Sequence, residues 1–301
     1  MEKRTIIHMF DPKPHTSPFD INMAADAGFE VVIPYSNVKL EQVHGLVQDV
    51  IFSRGPAGVK RTGIFIGGRD IGLAMAMLEA AKKAMVLPFQ VSVFADPSGA
   101  FTTAAALVAC VEKELKVKHN IGLQGCRAVV FGGTGPVGIA TGVIASLNGA
   151  NTTIVDHLTS GNALAVAKEY NELCGCSVRG TYASSDADKA FLISNVDVVF
   201  CTAKAGIEVL NASVLAHARE LKVAGDVNAV LPLGIEGVKL KDFGAPLVHA
   251  TASQGAVDIG ALAVGDIKYK LQQALLRTML ESEQPVYLDF RDAFQRARDL
   301  V

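Results

Sequence analysis

The sequence predicts an α/β protein of two domains, and three observations carry that prediction. The chain has 301 residues, more than one hydrophobic core usually organises. Short apolar runs alternate with helical patterns, as expected of a mostly parallel sheet covered on both faces. A glycine-rich turn at residues 133–138 joins a strand-like run to a helix-forming segment, the entry to a Rossmann-type doubly wound domain.

Taken in order, apolar runs at 5–10, 31–35, 50–53, 63–66 and 91–94 read as strands, with helical patterns at 71–85 and 102–115. They predict an N-terminal α/β domain over residues 1–120. The series resumes at 128–131, 152–155, 198–201, 222–224 and 246–249, with a helix over 139–148, and predicts the Rossmann-type domain over 121–266. Pro232, Gly234 and Gly237 break the chain in a loop. Helical patterns at 267–281 and 291–300 follow and are expected to pack back on the first domain. Ligands of doubly wound sheets lie at the carboxyl ends of strands, so the first domain is expected to hold a substrate.

Half of the residues are hydrophobic, so burial is not limiting. A net charge of −2 without a dense Lys/Arg cluster argues against nucleic acid as a partner. No uninterrupted apolar segment reaches the length of about 18 residues that a membrane span needs. The start, "MEKRTIIHMFDP", reads as a first strand and not as a signal peptide, so a cytoplasmic protein is expected. The cysteines, Cys110, Cys126, Cys174, Cys176 and Cys201, are an odd set without metal-ligand spacing, and no metal is expected.

Each position of the turn Gly133-Thr134-Gly135-Pro136-Val137-Gly138 has a physical reason. Gly133 suits a tight strand-to-helix turn, Gly135 leaves room for a pyrophosphate, and Gly138 lets the helix pack on its strand. Pro136 fits a first helical turn, where a missing N–H is no loss and neighbouring amides face an anion. The next strand ends in Asp156, close to the spacing of about 20 residues at which an acid meets the adenosine ribose. A structural glycine turn that binds nothing is the alternative.

A dehydrogenase of alcohols must remove a proton as the hydride leaves, and no relay for one is visible. No YxxxK pattern stands in residues 121–301, where Tyr170 is followed by Asn171-Glu172-Leu173-Cys174, and His44, His119 and His217 are isolated. Oxidation of a methylene carbon between two nitrogens needs no relay, because the product is an amidinium cation with no proton to shed.

Several segments together resemble one family along nearly the whole chain: "SPFDINMAADAGF", "IFIGGRD" at 64–70, "DPSGAFTTAAALV" at 96–108, "GGTGPVG", "DVNAVLPLGI" at 226–235 and "GALAVGDIKYKL" at 260–271. The sequence is similar to the methylene-tetrahydromethanopterin dehydrogenases of methylotrophic bacteria, and more to their NAD-accepting branch than to the strictly NADP-dependent one. The resemblance implies an oxidoreductase acting on a CH–NH donor. It would oxidise a pterin-bound methylene to methenyl with NAD(P)⁺ in one-carbon metabolism, as a homo-oligomer. Within it, Phe19 matches an aromatic that lies against the pterin, and Lys268 a lysine near the reacting ring that orients substrate without acting as a base. A core phenylalanine and a solvated helix charge are the respective alternatives. Asp20 binds the pterin or caps a helix beginning near Ile21.

Ser98, Thr102 and Thr103 are candidates to hold the pterin or its linker, with N-capping as the alternative. The candidate substrate set is His15, Asp20, Asp96, Ser98, Gly99, Thr102, Thr103 and Gly260. The cofactor set is Gly133, Thr134, Gly135, Pro136, Val137, Gly138, Asp156, His157, Thr202, Ala203, Lys204, Asp226 and Asn228, with a structural cap as the alternative for Asp226. The NADP-only branch carries an arginine after the second strand, where "IVDHL" here places Asp156 and His157. NAD is therefore expected to be preferred, with NADP still accepted. Two other readings remain open at this point: a methylene-tetrahydrofolate dehydrogenase, and a non-catalytic NAD-binding sensor.

Overall fold

A computed structural model describes residues 3–301. The chain divides into two compact units, one formed by the residues up to Thr102 with Tyr269–Arg296, the other by Thr103–Lys268 with Ala297–Val301.

The first unit begins β1 (Ile6–Phe10), α1 (Pro18–Asp26), β2 (Val31–Tyr35), α2 (Leu40–Phe52), α3 (Gly55–Val59), β3 (Thr62–Ile66), α4 (Ile71–Lys83) and β4 (Ser92–Ala95), and leads into α5 (Ala100–His119). The expected strand at 50–53 is not one. Val43, Val47, Val50 and Ile51 are buried along one face of α2, so that apolar run is the last turn of an amphipathic helix.

In the second unit the order is β5 (Arg127–Phe131), α6 (Pro136–Leu147), β6 (Asn151–Asp156), α7 (Ser160–Cys174), β7 (Arg179–Tyr182), α8 (Asp186–Ile193), β8 (Val198–Cys201), α9 (Ala212–Leu215), β9 (Val223–Asp226), β10 (Phe243–Pro246), β11 (Val257–Ile259) and α10 (Ala261–Glu281). From its ninth residue α10 belongs to the first unit, as do β12 (Tyr287–Leu288) and most of α11 (Phe290–Arg298). The strand expected at 246–249 ends instead at Pro246, because β10 is an antiparallel edge strand paired with β11.

The sheet of the first unit has the order β12-β4-β3-β1-β2 with every pairing parallel. Strands β3 and β4 are buried throughout, which explains their unbroken apolar character. Met279 of α10 packs at Gly63 of β3, and Ser92 donates to the Met279 carbonyl at 3.2 Å. The chain reverses its direction of winding between β1 and β3, so a ligand crevice belongs outside their carboxyl ends.

The second sheet runs β10-β11-β9-β8-β5-β6-β7, parallel except for β10, with its reversal between β5 and β8. At the opposite end, Asp197 holds the sheet together. It accepts from the backbone N and Nε of Arg127, both at 2.9 Å, and from Lys222 Nζ at 2.5 Å. Burial opposes its charge, but these donors pull its carboxyl down to about 2. Asp258 on β11 is the converse case, with both oxygens buried and unbonded. Burial first, and then the neighbouring Asp242, push it up to about 8. Among the described residues no helix is long and apolar enough to cross a membrane.

Candidate functional site

The glycine loop follows β5 and opens into α6 as the motif requires, with Pro136 in the first turn and Gly135 as the N-cap. The division of labour among its glycines differs from the sequence expectation. The positive φ of the turn, +72°, falls on Gly132, where a Cβ would stand 2.6 Å from the Ala203 nitrogen. Gly133 is needed for packing instead, since its Cβ would lie 2.5 Å from that of Ile154 on β6. Gly138 has the expected role: a Cβ there would overlap the Gly132 carbonyl oxygen and lie 2.7 Å from the Gly133 Cα. Gly135 is the open position, with nothing nearer than the Gly132 oxygen at 3.5 Å.

Thr134, Gly135, Pro136 and Val137 are all partly exposed. Early amides of a helix lack intrahelical acceptors, so those of Val137 and Gly138 suit an anion. A cradle open at Gly135 beside a helix N-terminus fits the diphosphate of a dinucleotide.

Three cofactor candidates turn out to fasten the backbone at strand ends. Thr202, at the end of β8, donates its hydroxyl to the Phe131 carbonyl at 2.9 Å and so fastens β8 to the glycine loop. Asp226, at the end of β9, is 1% exposed and accepts from the amides of Asn228, Gly234 and Ile235 at 2.9, 2.8 and 3.1 Å. Burial raises its pKa against those bonds. Asn228 accepts from the Gly206 and Val230 amides and donates to the Pro232 carbonyl. Asp226 and Asn228 are thus loop staples and not ligand-facing groups, because their polar atoms are committed internally. Ala203 is partly exposed and Lys204 exposed on the same loop.

Asp156 ends β6, but it does not present a bare carboxylate. It is 2% exposed, with one oxygen accepting from the Leu158 amide at 2.9 Å and the other from the Asn162 side-chain amide. Burial opposes the charge, yet the Leu158 and Asn162 donors, with His157 at 3.6 Å, hold the carboxyl below its usual range. His157 itself is largely exposed.

In the first unit the candidate substrate residues, all of the set but Thr103 and Gly260, follow the carboxyl ends of β1 and β4. Helix α1 begins at Pro18 with Ser17 as its N-cap, so Asp20 is a first-turn residue and not a cap. It is buried and accepts from Gln272 Nε2 of α10 at 2.8 Å. Phe19 beside it is 47% exposed, so it is no core phenylalanine, and His15 is exposed as well.

After β4, Asp96 takes the capping role. Its carboxylate accepts from the Phe101 and Thr102 amides at 2.9 and 3.1 Å and from the Thr102 hydroxyl at 2.6 Å. Asp96 and Thr102 are fully buried and stabilise the start of α5, which leaves the neighbouring Ser98 exposed and Thr103 partly so. Ser98 adopts left-handed angles at φ 53° and donates to the Gly68 carbonyl at 2.6 Å, tying the β4 loop to the β3 loop. Gly99 next to it also has a positive φ, +67°.

On α10, Lys268 is half-buried and Lys270 exposed. Gly260 is buried before α10, and a Cβ there would overlap the Lys239 carbonyl oxygen, so it serves backbone packing and not substrate contact.

Residues 18–98 match the family model described as methylene-tetrahydromethanopterin dehydrogenase, N-terminal. The chain is also 44% identical over 298 residues, 99% of both sequences, to the NAD(P)-dependent methylenetetrahydromethanopterin dehydrogenase of Methylorubrum extorquens. The chain belongs to the methylene-tetrahydromethanopterin dehydrogenase family. The resemblance read from its motifs is thereby borne out.

Structural likeness reaches further than sequence for this family member. Quinate dehydrogenase from Corynebacterium glutamicum in complex with NAD matches with a TM-score of 0.53, at 14% identity over 99% of both chains. Shikimate 5-dehydrogenase from Listeria monocytogenes, in complex with shikimate and NAD, matches with 0.51, at 14% identity over 92% of this chain and 91% of that one. These two likenesses show a shared α/β fold of Rossmann type.

Sequence reasoning missed three residues of the methylene-tetrahydromethanopterin dehydrogenase framework. Gly132 carries the turn, and its signal was the doubled glycine. Asn162 holds Asp156, and only the folded loop reveals it. Asp11 directly follows β1, is 1% exposed and accepts from the Lys13 amide at 2.8 Å. Its second oxygen is buried and sits where a Cβ on Gly67 would come within 2.7 Å. A carboxylate closing an apolar strand just before Pro12 was a readable sign of a strand end facing a crevice.

Proposed function

We propose that this protein oxidises the methylene carbon of a 5,10-methylene-tetrahydromethanopterin-type pterin to the methenyl state with NAD(P)⁺, in one-carbon metabolism. The observation that carries the reading is the family relationship over the full length, which extends through the glycine loop and the first-unit segment alike.

Residues 1–120 hold the pterin. Exposed Phe19 offers a ring face, and Ser98 and Thr103 offer hydroxyls or amides at the strand ends. Lys268 orients the reacting ring without accepting a proton. In the second unit the loop at Gly135 and the amides of Val137 and Gly138 hold the diphosphate, while Ala203 and Lys204 flank the nicotinamide half. Bound NAD(P)⁺ supplies the hydride acceptor. Because the product cation is stabilised by two nitrogens, the chain's task is placement, which can lower a barrier by about 7–11 kcal/mol. Five free cysteines and dependence on the nicotinamide pool support a cytoplasmic enzyme, and it is proposed to act as a homo-oligomer.

The test is a spectrophotometric assay of purified protein with methylene-tetrahydromethanopterin and methylene-tetrahydrofolate, each with NAD⁺ and NADP⁺. Turnover of the methanopterin is expected. Turnover of the folate alone would support the folate enzyme, and NADH binding without turnover of either would support the sensor.

A further inference from the structure

We propose that Asn162, and not Asp156, is the side chain that reads the 2′ position of the adenosine ribose, with Asp156 behind it as a positioning residue. The inference rests on the NAD(P) reading of the second unit. The loop after β6 lies beside the glycine loop, since the Gly133 amide donates to the Val155 carbonyl at 3.2 Å and Gly133 packs against Ile154. An acid at the end of this strand ordinarily accepts from the ribose hydroxyls. Here its two oxygens face the Leu158 amide and the Asn162 side chain, and 2% exposure leaves it no open surface. Asn162, in contrast, is exposed. Its backbone is fixed in the first turn of α7 by a 3.3 Å bond from its amide to the hydroxyl of the N-cap Thr159.

The chemistry sets which way the amide faces. An ionised carboxylate only accepts, so the Nδ2 end must point at Asp156, which leaves the carbonyl Oδ1 and the second N–H for a ligand. Oδ1 accepts from a ribose hydroxyl, as a carboxylate would. The remaining N–H can donate to a phosphate oxygen, which a carboxylate cannot do, and exposed His157 stands 3.6 Å from Asp156 on the same loop. The charge of Asp156 is set back by one side chain from where a 2′-phosphate would lie. One neutral group thus serves either nucleotide, and the buried acid keeps it in register. The ligand class at this position is accordingly an adenosine ribose with or without a 2′-phosphate.

The experiment measures NADH and NADPH dissociation constants by fluorescence titration for the parent and for Asn162→Ala, Asn162→Asp and Asn162→Gln, with unliganded melting curves. In Asn162→Ala the carboxylate is uncovered. NADPH is then expected to weaken by about tenfold to a hundredfold, while NADH changes by less than about fivefold. Asn162→Asp should be at least as selective against NADPH, and Asn162→Gln, which keeps the amide, should restore NADPH binding at least in part. An unchanged NADPH-to-NADH ratio in the alanine and aspartate variants overturns the proposal. So does equal loss of both nucleotides with a fallen melting temperature, which assigns Asn162 a structural role only. If the parent binds neither nucleotide, the coenzyme reading itself fails, and that outcome is distinct from both.

Discussion

In the variant Gly135→Ala the added methyl meets nothing closer than the Gly132 carbonyl oxygen at 3.5 Å, and the parent angles, φ −83° and ψ 163°, are ones alanine adopts freely. A Gly→Ala change at such a site stabilises by about 0.4–1 kcal/mol through the unfolded chain. For a unit of this size that raises the melting temperature by about 1–4 °C. The same methyl stands in the opening through which a diphosphate must come to the amides of α6. Weakened hydrogen bonds to that charged group amount to about 2–3 kcal/mol, or roughly 30- to 150-fold in Kd.

Differential scanning of the unliganded protein and an NADH titration measure the two effects separately. Gly138→Ala is the contrasting control, because its methyl overlaps the Gly132 carbonyl and should cost about 1–3 kcal/mol of stability. An NADH affinity for Gly135→Ala within about threefold of the parent, with the expected melting behaviour, would refute the argument that this opening admits the ligand.

Asp197 has a folded pKa of about 2 against an ordinary 3.8, so its contribution is complete above pH 3.8 and is lost as the pH falls through 2. Asp197→Asn should therefore cost about 2 kcal/mol in urea unfolding at neutral pH, with a gap that closes toward the acid end. Asp258 shifts the other way, to about 8, so between 3.8 and 8 the fold keeps a proton that the unfolded chain has released, and stability declines with rising pH. Asp258→Asn should raise the melting temperature more at alkaline than at acid pH, and equal melting shifts at both ends would contradict this. Lys268→Ala should lower turnover by about tenfold to a hundredfold without changing the fold, as expected for lost positioning. Phe19→Ala should chiefly raise the pterin KM, and unchanged kinetics in either variant would remove that residue from the site.

Much of the frame was legible because its constraints are local. The glycine loop, the long helices α4, α5 and α10, and the buried strands of both sheets follow from periodicity and from backbone chemistry within a few residues. The short strands β7, β11 and β12 were not legible, since segments such as "RGTY" lack an apolar run and pair only because neighbours present an edge. The misread run at 50–53 shows that three apolar residues and a serine cannot separate a strand from the end of a helix without the positions before them. At the site, residue type indicated where polar groups belong but not which way they point. Asp96, Asp226 and Asp156 all stand at strand ends, and each turned inward because nearby backbone amides needed an acceptor. That choice depends on loop geometry formed by residues two to nine positions on.

Strand β12 lies beside β4, joined to it by the Ser92 hydroxyl as acceptor for the Val286 amide, although those two residues are 194 positions apart. During synthesis, the first four strands emerge early, yet the edge of β4 stays uncovered until β12, so far along the chain, has left the ribosome. An open parallel edge of this kind is a template for pairing with other chains. The early-made sheet is consequently the part most exposed to misassembly while translation continues, and removing the segment from 285 onward should increase aggregation.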